Sequence, residues 1–339
     1  MAELTGSARA LHEVYDTALL DLDGVVYAGG EALPHAVASL AAARDAGMRL
    51  AYVTNNAART PETVAGHLTA LGVPAEPDEV VTSAQAVARL IAESVPPGSA
   101  VLCAGGEGLR VALRERGLRP VASADDDPAA VVQGYGGPDL TWGTLSEAAL
   151  AVNRGVPWFA SNLDATIPGG RGITPGNGAA VEVVRIATRH SREPRVAGKP
   201  RPPMHRESIL RTGARRPLVI GDRLDTDIEG AHVGSVDSLL VLSGVTDAAG
   251  LVAARAEHRP TYVALDLRGL LVGHPGPSPE GDGVFGCGGW RASVSGGGLV
   301  VEGRGEPLDG LRALCAAAWA AADAGIPAGA ERALARLGW

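Results

Sequence analysis

Four short segments carry the residue types that chemistry at an anionic centre requires. The first is Asp21-Leu22-Asp23-Gly24-Val25-Val26-Tyr27, at the exit of the apolar run TALL. On extended backbone the two carboxylates share one face across Leu22, and Gly24 permits a sharp turn away from the strand. The second is Val53-Thr54-Asn55-Asn56, again after an apolar run, where a hydroxyl and exposed N–H groups suit a phosphate. The third is Gly198-Lys199-Pro200. Of 30 basic residues 29 are arginine, so Lys199 is the sole lysine. An exception to so strong a bias marks a position that requires a compact ammonium, which can sit between two anions. The fourth is Gly221-Asp222-Arg223-Leu224-Asp225-Thr226-Asp227, three acids within six residues. With Asp21 and Asp23 they make an oxygen-rich site for a hard cation such as magnesium.

Each segment also has a plainer explanation. Asp21 and Asp23 could be a solvated turn, Thr54 to Asn56 an Asx-turn, and Asp225 an acid favouring a helix start. Taken together the four are coherent. A cluster of acids repels itself unless a cation is present, and a cation, a lysine and a hydroxyl between them neutralise a phosphate.

Positioning these residues requires strands that end side by side. TALL, RLAYVTNN and RPLVIGD read as strands, each running into one of the segments. Helices follow at PHAVASLAAARDAG, stopped by Gly47, and at TPETVAGHLTALG, with Thr60 as N-cap and Pro61 in the first turn. Strand alternating with helix implies a parallel sheet, and open parallel sheets bind ligands beyond the carboxyl ends of their strands. New strand–helix units fill 84–183, out to the turn-rich PGGRGITPGNG. The first style returns over 184–272. The simplest organisation is one α/β domain, 1–83 with 184–272, interrupted by a second at 84–183. A Gly- and Pro-dense tail, 273–339, adds a small module with a hairpin at RASVSGGGLVVEG and a helix at PLDGLRALCAAAWAAADAG.

Composition narrows the function classes. The 339 residues are 46% hydrophobic and 20% charged, as in globular proteins. No apolar run approaches the ~20 residues of a membrane helix. The start lacks a basic patch followed by an apolar run, which argues against a secretory signal. The three cysteines lie far apart and fit neither a disulfide framework nor a zinc site, so a reducing cytoplasm is expected. A net charge of −8 argues against a duplex nucleic-acid partner, not against a small anion.

In order and spacing, DLDGVVYAGG, VTNN, GKP and GDRLDTDI resemble the four signature motifs of the haloacid dehalogenase superfamily, in its nitrophenylphosphatase branch. The resemblance covers about residues 15–272. It implies an α/β fold with a Rossmann-like parallel sheet core and an inserted α/β cap domain at 84–183, to which the tail adds a small C-terminal α+β module. It implies Asp21 as nucleophile, forming an aspartyl-phosphate, and Asp23 as the acid and base. It implies a magnesium ion held by the Asp21 carboxylate, the Asp23 carbonyl and Asp222, with Asp227 behind them or linked through water. Thr54, Asn55, Asn56 and Lys199 would hold the phosphoryl group. An acid at position 23 separates phosphatases from the dehalogenases and ion pumps of this superfamily, because an alkoxide leaving group needs a proton.

The expected activity is hydrolysis of a small phosphate monoester. Glycerol 3-phosphate is the first expectation, then phosphoglycolate or another small metabolite. A phosphate-metabolite sensor without catalysis and a phosphotransferase remain alternatives. The expected partner is a small phosphorylated metabolite, with no nucleic acid and no membrane, and a homo-oligomer is left open. Ser161-Asn162-Leu163-Asp164 sits where the family often has Asn-Pro-Asp. Leu163 departs from that pattern, so no role is carried onto the loop. Ala104-Gly105-Gly106-Glu107-Gly108 lacks the spacing of a dinucleotide loop. The tail's hairpin and helix are compatible with a fragment of an acetyltransferase-like fold too short for acyl transfer, so a packing or oligomerisation role is expected.

Overall fold

The computed structural model describes residues 4–169 and 172–339. Of the turn-rich stretch expected at the edge of the insert, Gly170 and Arg171 lie outside the described residues. The fold is α/β, with parallel sheets flanked by helices and an additional antiparallel sheet near the C-terminus. Its contacts divide the chain into two compact units, one of residues 1–50 and 214–339, the other of 51–213.

In the first unit, four parallel strands lie in the order Tyr262–Ala264, Asp237–Val241, Pro217–Gly221 and Thr17–Leu20. Ala18, Leu20, Leu218, Ile220, Leu239 and Leu240 are all fully buried, as expected of strands covered on both faces. The register pairs Leu20 with Ile220, which sets Asp21 at the carboxyl edge opposite Gly221, one residue before Asp222. After Asp222 the chain enters a wide helical turn, Leu224–Ile228, in which the Ile228 N–H reaches the Arg223 carbonyl five residues back. Such turns recur at functional sites.

The expected tail hairpin forms between Trp290–Ser295 and Gly298–Gly303, within a four-stranded antiparallel sheet beginning at Ser278–Gly281. The helix Pro307–Asp323 packs on it. Tail and parallel sheet share one apolar core, in which Ile228, Leu240, Leu251 and Val263 join Trp290, Leu299, Leu311, Leu314 and Trp319. Polar contacts reinforce the junction. Arg259 grips Asp323 through two hydrogen bonds of 2.7 Å, and the Trp319 indole N–H donates to the Leu251 carbonyl at 3.2 Å.

In the second unit, five parallel strands lie in the order Arg195–Val196, Trp158–Ala160, Ala130–Gln133, Ala100–Ala104 and Arg119–Val121. The strand at Arg195–Val196 carries this sheet past residue 183. Arg49–Thr54 pairs in parallel with Val80–Thr82, and the helix Ser83–Ala92 starts from a capping box between Thr82 and Gln85. The structure adds helices at Asn177–Ala187 and Pro202–Thr212 that pattern reading does not reveal. Neither has a side-chain N-cap, and both begin in Gly- or Pro-rich sequence that reads as turn. Among the described residues no helix is long and apolar enough to cross a membrane.

Candidate active site

The first unit gathers carboxylates. Leu22 is 1% exposed and anchors the turn after Thr17–Leu20, its carbonyl accepting from the N–H groups of Val26 and Tyr27. With Leu22 turned into the core, Asp21 is half-buried and Asp23 is exposed. Gly24 has φ +79, a conformation that favours glycine, and its N–H donates to the Tyr27 carbonyl. Ligand oxygens of Asp21, Asp222 and Asp227 lie within 4.8 Å of one another. Asp222 and Asp227 are each 1% exposed. Among the described residues no other group of three acids, histidines or cysteines gathers so closely.

Apart from Gly24, Asp222 is seated by residues that sequence reasoning did not single out. Its Oδ2 accepts from the Val245 N–H at 2.7 Å, and its carbonyl accepts from the Thr246 N–H at 3.1 Å. A Cβ at Gly24 would stand 2.4 Å from Asp222 Oδ2, and one at Gly244 only 2.0 Å away. Ser243 Oγ donates to the Gly24 carbonyl at 2.8 Å, which joins the two loops. The available sequence signal was the Ser-Gly at the end of the apolar run SLLVLSG. Asp227 Oδ2 accepts from the Arg223 N–H at 3.2 Å, and Gly221 leaves the room that Asp227 occupies.

Asp225 takes no part in this group. Its carboxylate is forked by Arg223, at 3.0 and 2.8 Å, and these bonds hold it below the usual carboxylate range. Three carboxylates this close, two of them buried, fit a hard divalent cation, since like charges in a confined site need a compensating one. Magnesium's preference for oxygen donors matches the set of Asp21, Asp222 and Asp227.

The second unit carries the polar groups expected to meet a phosphate. Thr54 ends its strand 7% exposed, and its Oγ1 accepts from the Asn56 N–H at 3.1 Å. Asn56 Oδ1 accepts from the N–H groups of Ala58 and Arg59, so this side chain closes the turn. Lys199 Nζ donates to the Val53 carbonyl at 3.2 Å, which places the ammonium at the carboxyl end of the strand Arg49–Thr54. The Asn55 side chain bonds to the main chain of Lys199 and to Asp164.

Comparison with known proteins agrees with this chemistry. Residues 18–119 match the family model of haloacid dehalogenase-like hydrolases, and 196–270 match a second model described as HAD-hydrolase-like. Residues 287–339 match a GCN5-related N-acetyltransferase like domain. A D-glycerol 3-phosphate phosphatase of Mycobacterium tuberculosis is 42% identical over 351 residues, covering 97% of this chain and 95% of the relative. An acid sugar phosphatase of Staphylococcus saprophyticus is 36% identical, covering 76% of this chain and 97% of the relative. Among solved structures, a glycerol phosphate phosphatase of M. tuberculosis in complex with magnesium matches with TM-score 0.87 at 42% identity, over 97% of this chain and 98% of that one. A p-nitrophenyl phosphatase of Archaeoglobus fulgidus matches with TM-score 0.69 at 28% identity, over 76% and 98%.

Proposed function

The chain belongs to the haloacid dehalogenase-like hydrolases, and on that premise we propose that it hydrolyses a small phosphate monoester through a phosphorylated Asp21, with glycerol 3-phosphate as the ester and Mg2+ as the cation. The observation that carries this reading is the convergence of Asp21, Asp222 and Asp227 at the carboxyl edge of parallel strands. The choice of ester is supported by the relative that matches along 97% of the chain. Phosphoglycolate or another small metabolite ester is the second choice.

The roles of the chain's own residues follow from the reaction. Asp21 attacks phosphorus, so an Asp21 O–P bond forms as the bond to the leaving oxygen breaks. Asp23 delivers a proton to that oxygen. It then takes one from the water that attacks the phosphorylated Asp21, releasing phosphate and restoring the carboxylate. Asp23 is exposed at the turn after Thr17–Leu20. The Asp21 carboxylate, the Asp23 carbonyl and Asp222 would hold Mg2+, with Asp227 behind them. When bound, the ion supplies the positive charge that lets an anionic ester approach these carboxylates. Thr54, the backbone of Asn55, Asn56 and Lys199 are assigned the phosphoryl oxygens, on motif order in the sequence. Phosphate monoesters are among the slowest esters to hydrolyse unaided, so charge stabilisation has to supply much of the rate.

Residues 1–83 and 184–272 form the phosphatase core, 84–183 select the leaving group, and 273–339 serve as a packing or oligomerisation module. The compartment is the cytoplasm, where three free buried cysteines persist. The partner is a small phosphorylated metabolite rather than a nucleic acid or membrane, and a homo-oligomer is compatible with this.

The test is inorganic phosphate release from glycerol 3-phosphate, phosphoglycolate, sugar phosphates and p-nitrophenyl phosphate, with Mg2+ and with EDTA. Fastest release from glycerol 3-phosphate, stopped by EDTA and by Asp21→Asn with the melting temperature retained, is the expected result. No release from any ester with Mg2+ present overturns it. Transfer to an added alcohol would then indicate a phosphotransferase, and ligand-induced stabilisation without turnover a sensor.

A further inference from the structure

The loop 161–165 has no part in the mechanism above, and neither has the side chain of Asn55. Resting on the reading of Lys199 as a phosphate-neutralising group, we infer that Asn55 and Asp164 are positioning residues: Asp164 orients the Asn55 carboxamide, which in turn fixes Lys199.

The Asn55 side chain is bonded at both of its polar atoms. Oδ1 accepts from the Lys199 N–H at 2.8 Å. Nδ2 donates to the Lys199 carbonyl at 3.2 Å and faces the two Asp164 oxygens at 3.3 and 3.2 Å. Turning the amide over would set its NH2 against an N–H and its oxygen against three oxygens, so the surroundings dictate one orientation. A single side chain thus holds both main-chain polar groups of Lys199, and Val53 receives its ammonium.

The neighbouring backbone leaves this junction little freedom. The Asn55 carbonyl accepts from Ser83 Oγ at 2.6 Å and from Asn162 Nδ2 at 2.7 Å. The Gly198 N–H donates to the Ser161 carbonyl at 2.6 Å, and a Cβ at Gly198 would come within 2.5 Å of that oxygen and 2.6 Å of Asn55 Oδ1. On the other side the Asp164 carbonyl accepts from the Gly178 N–H at 2.9 Å, and a Cβ at Gly176 would stand 2.2 Å from the same oxygen. The Asp164 N–H donates to Asn162 Oδ1 at 3.1 Å, an Asx-turn formed with Leu163 at its centre. The departure from Asn-Pro-Asp therefore leaves the turn intact.

The functional consequence follows from lysine's flexibility. Its four-carbon stem lets the charge wander unless the Cα is held, and a misplacement of ~1 Å from a remote mutation costs on the order of 100-fold in rate. Asp164 keeps the Asn55 donor turned toward it, and this holds the acceptor of the same amide on the Lys199 N–H.

The sole lysine makes the test direct. The full-length protein is produced with 13Cε,15Nζ-lysine, which gives one side-chain resonance without substrate. Asp164→Ala is expected to move that resonance and to lower kcat by ~10- to 100-fold, with a smaller change in KM. Asp164→Asn keeps an acceptor oxygen for Asn55 Nδ2, so it should restore the resonance position and recover most of kcat. An unmoved resonance in Asp164→Ala overturns the inference. So does loss of activity in Asp164→Asn as deep as in Asp164→Ala with the resonance in place, which would make the carboxylate a direct substrate contact. If the resonance moves and recovers as described while the wild type hydrolyses no ester, the phosphatase reading fails and the positioning stands. Should Asp164→Ala lack a cooperative melt, Asp164→Glu displaces the acceptor oxygens by one methylene and keeps the charge. Its resonance must then move, or the inference falls.

Discussion

Asp222 and Gly244 are in such close contact that a methyl group on Gly244 would lie 2.0 Å from Asp222 Oδ2. The carboxylate is held from behind by the Val245 N–H, and Gly24 gives it room from the other side. Its orientation is therefore built by two loops remote from each other in sequence. Gly244→Ala should displace the carboxylate and weaken Mg2+ binding by about 10- to 100-fold, the usual cost of disturbing what supports a metal ligand. Calorimetric titration of Mg2+ into the two proteins reads this directly. Equal affinities would show that the glycine is not what seats Asp222.

Lys199→Arg conserves charge in a chain whose other 29 Lys/Arg positions are all arginine. The planar guanidinium is larger than an ammonium and cannot act as the same point charge. A fall in kcat of about 100-fold or more is expected, the scale of losing one preorganised charge donor. An activity within threefold of wild type would remove the argument drawn from the sole lysine.

Gly198→Ala would bring its methyl against the Ser161 carbonyl and Asn55 Oδ1 together. Backbone and a doubly bonded amide cannot both yield, so overpacking should destabilise the protein by about 1–3 kcal/mol. Urea denaturation of wild type and variant checks this, with an unchanged midpoint as the contrary result.

Glu207, on the helix Pro202–Thr212, is surrounded by Arg89, Arg116 and Arg211 with its side chain fully buried. Burial pushes the carboxyl up, but hydrogen bonds from Arg89 and Arg211 more than reverse that and hold it below its ordinary value. The folded value is thus lower than the unfolded one. The stabilisation is present in full above the unfolded value of about 4.3 and is lost as pH falls through the folded value. Glu207→Gln should cost about 3–5 kcal/mol at neutral pH, because three guanidinium groups lose their shared anion. The gap between the two proteins should narrow as the pH is lowered towards 3. A gap independent of pH would mean that packing, not charge, sets it.

The tail is tied to the parallel sheet by a shared core rather than a linker. Trp319 is 4% exposed, its indole N–H bonds to Leu251, and the Arg259 guanidinium lies 5.3 Å from the centre of one of its rings. Trp319→Ala should destabilise by about 3–5 kcal/mol. Removing 273–339 would uncover Leu240, Leu251 and Val263, and the truncated protein should aggregate on expression. A truncated protein that stays soluble with an unchanged melting temperature would show that the tail folds independently.

Much of the site was legible in the sequence because its chemistry is local. A carboxylate placed directly after an apolar strand must emerge at the sheet's carboxyl edge, and the adjacent strands Thr17–Leu20 and Pro217–Gly221 end so that Asp21 and Asp222 converge there. The order of the four motifs and the lone lysine needed no coordinates. Tertiary structure alone decided contacts between residues far apart in the chain. Gly24 and Gly244 form one seat, Asn55 reaches across 144 residues to Lys199 and 109 to Asp164, and the tail completes the core of a sheet whose strands precede it. Periodicity and motif spacing report the state of neighbouring residues. The direction of a carboxamide, or the fit of a glycine against a distant carboxylate, depends on where separate loops come to rest, and only the packed chain determines that.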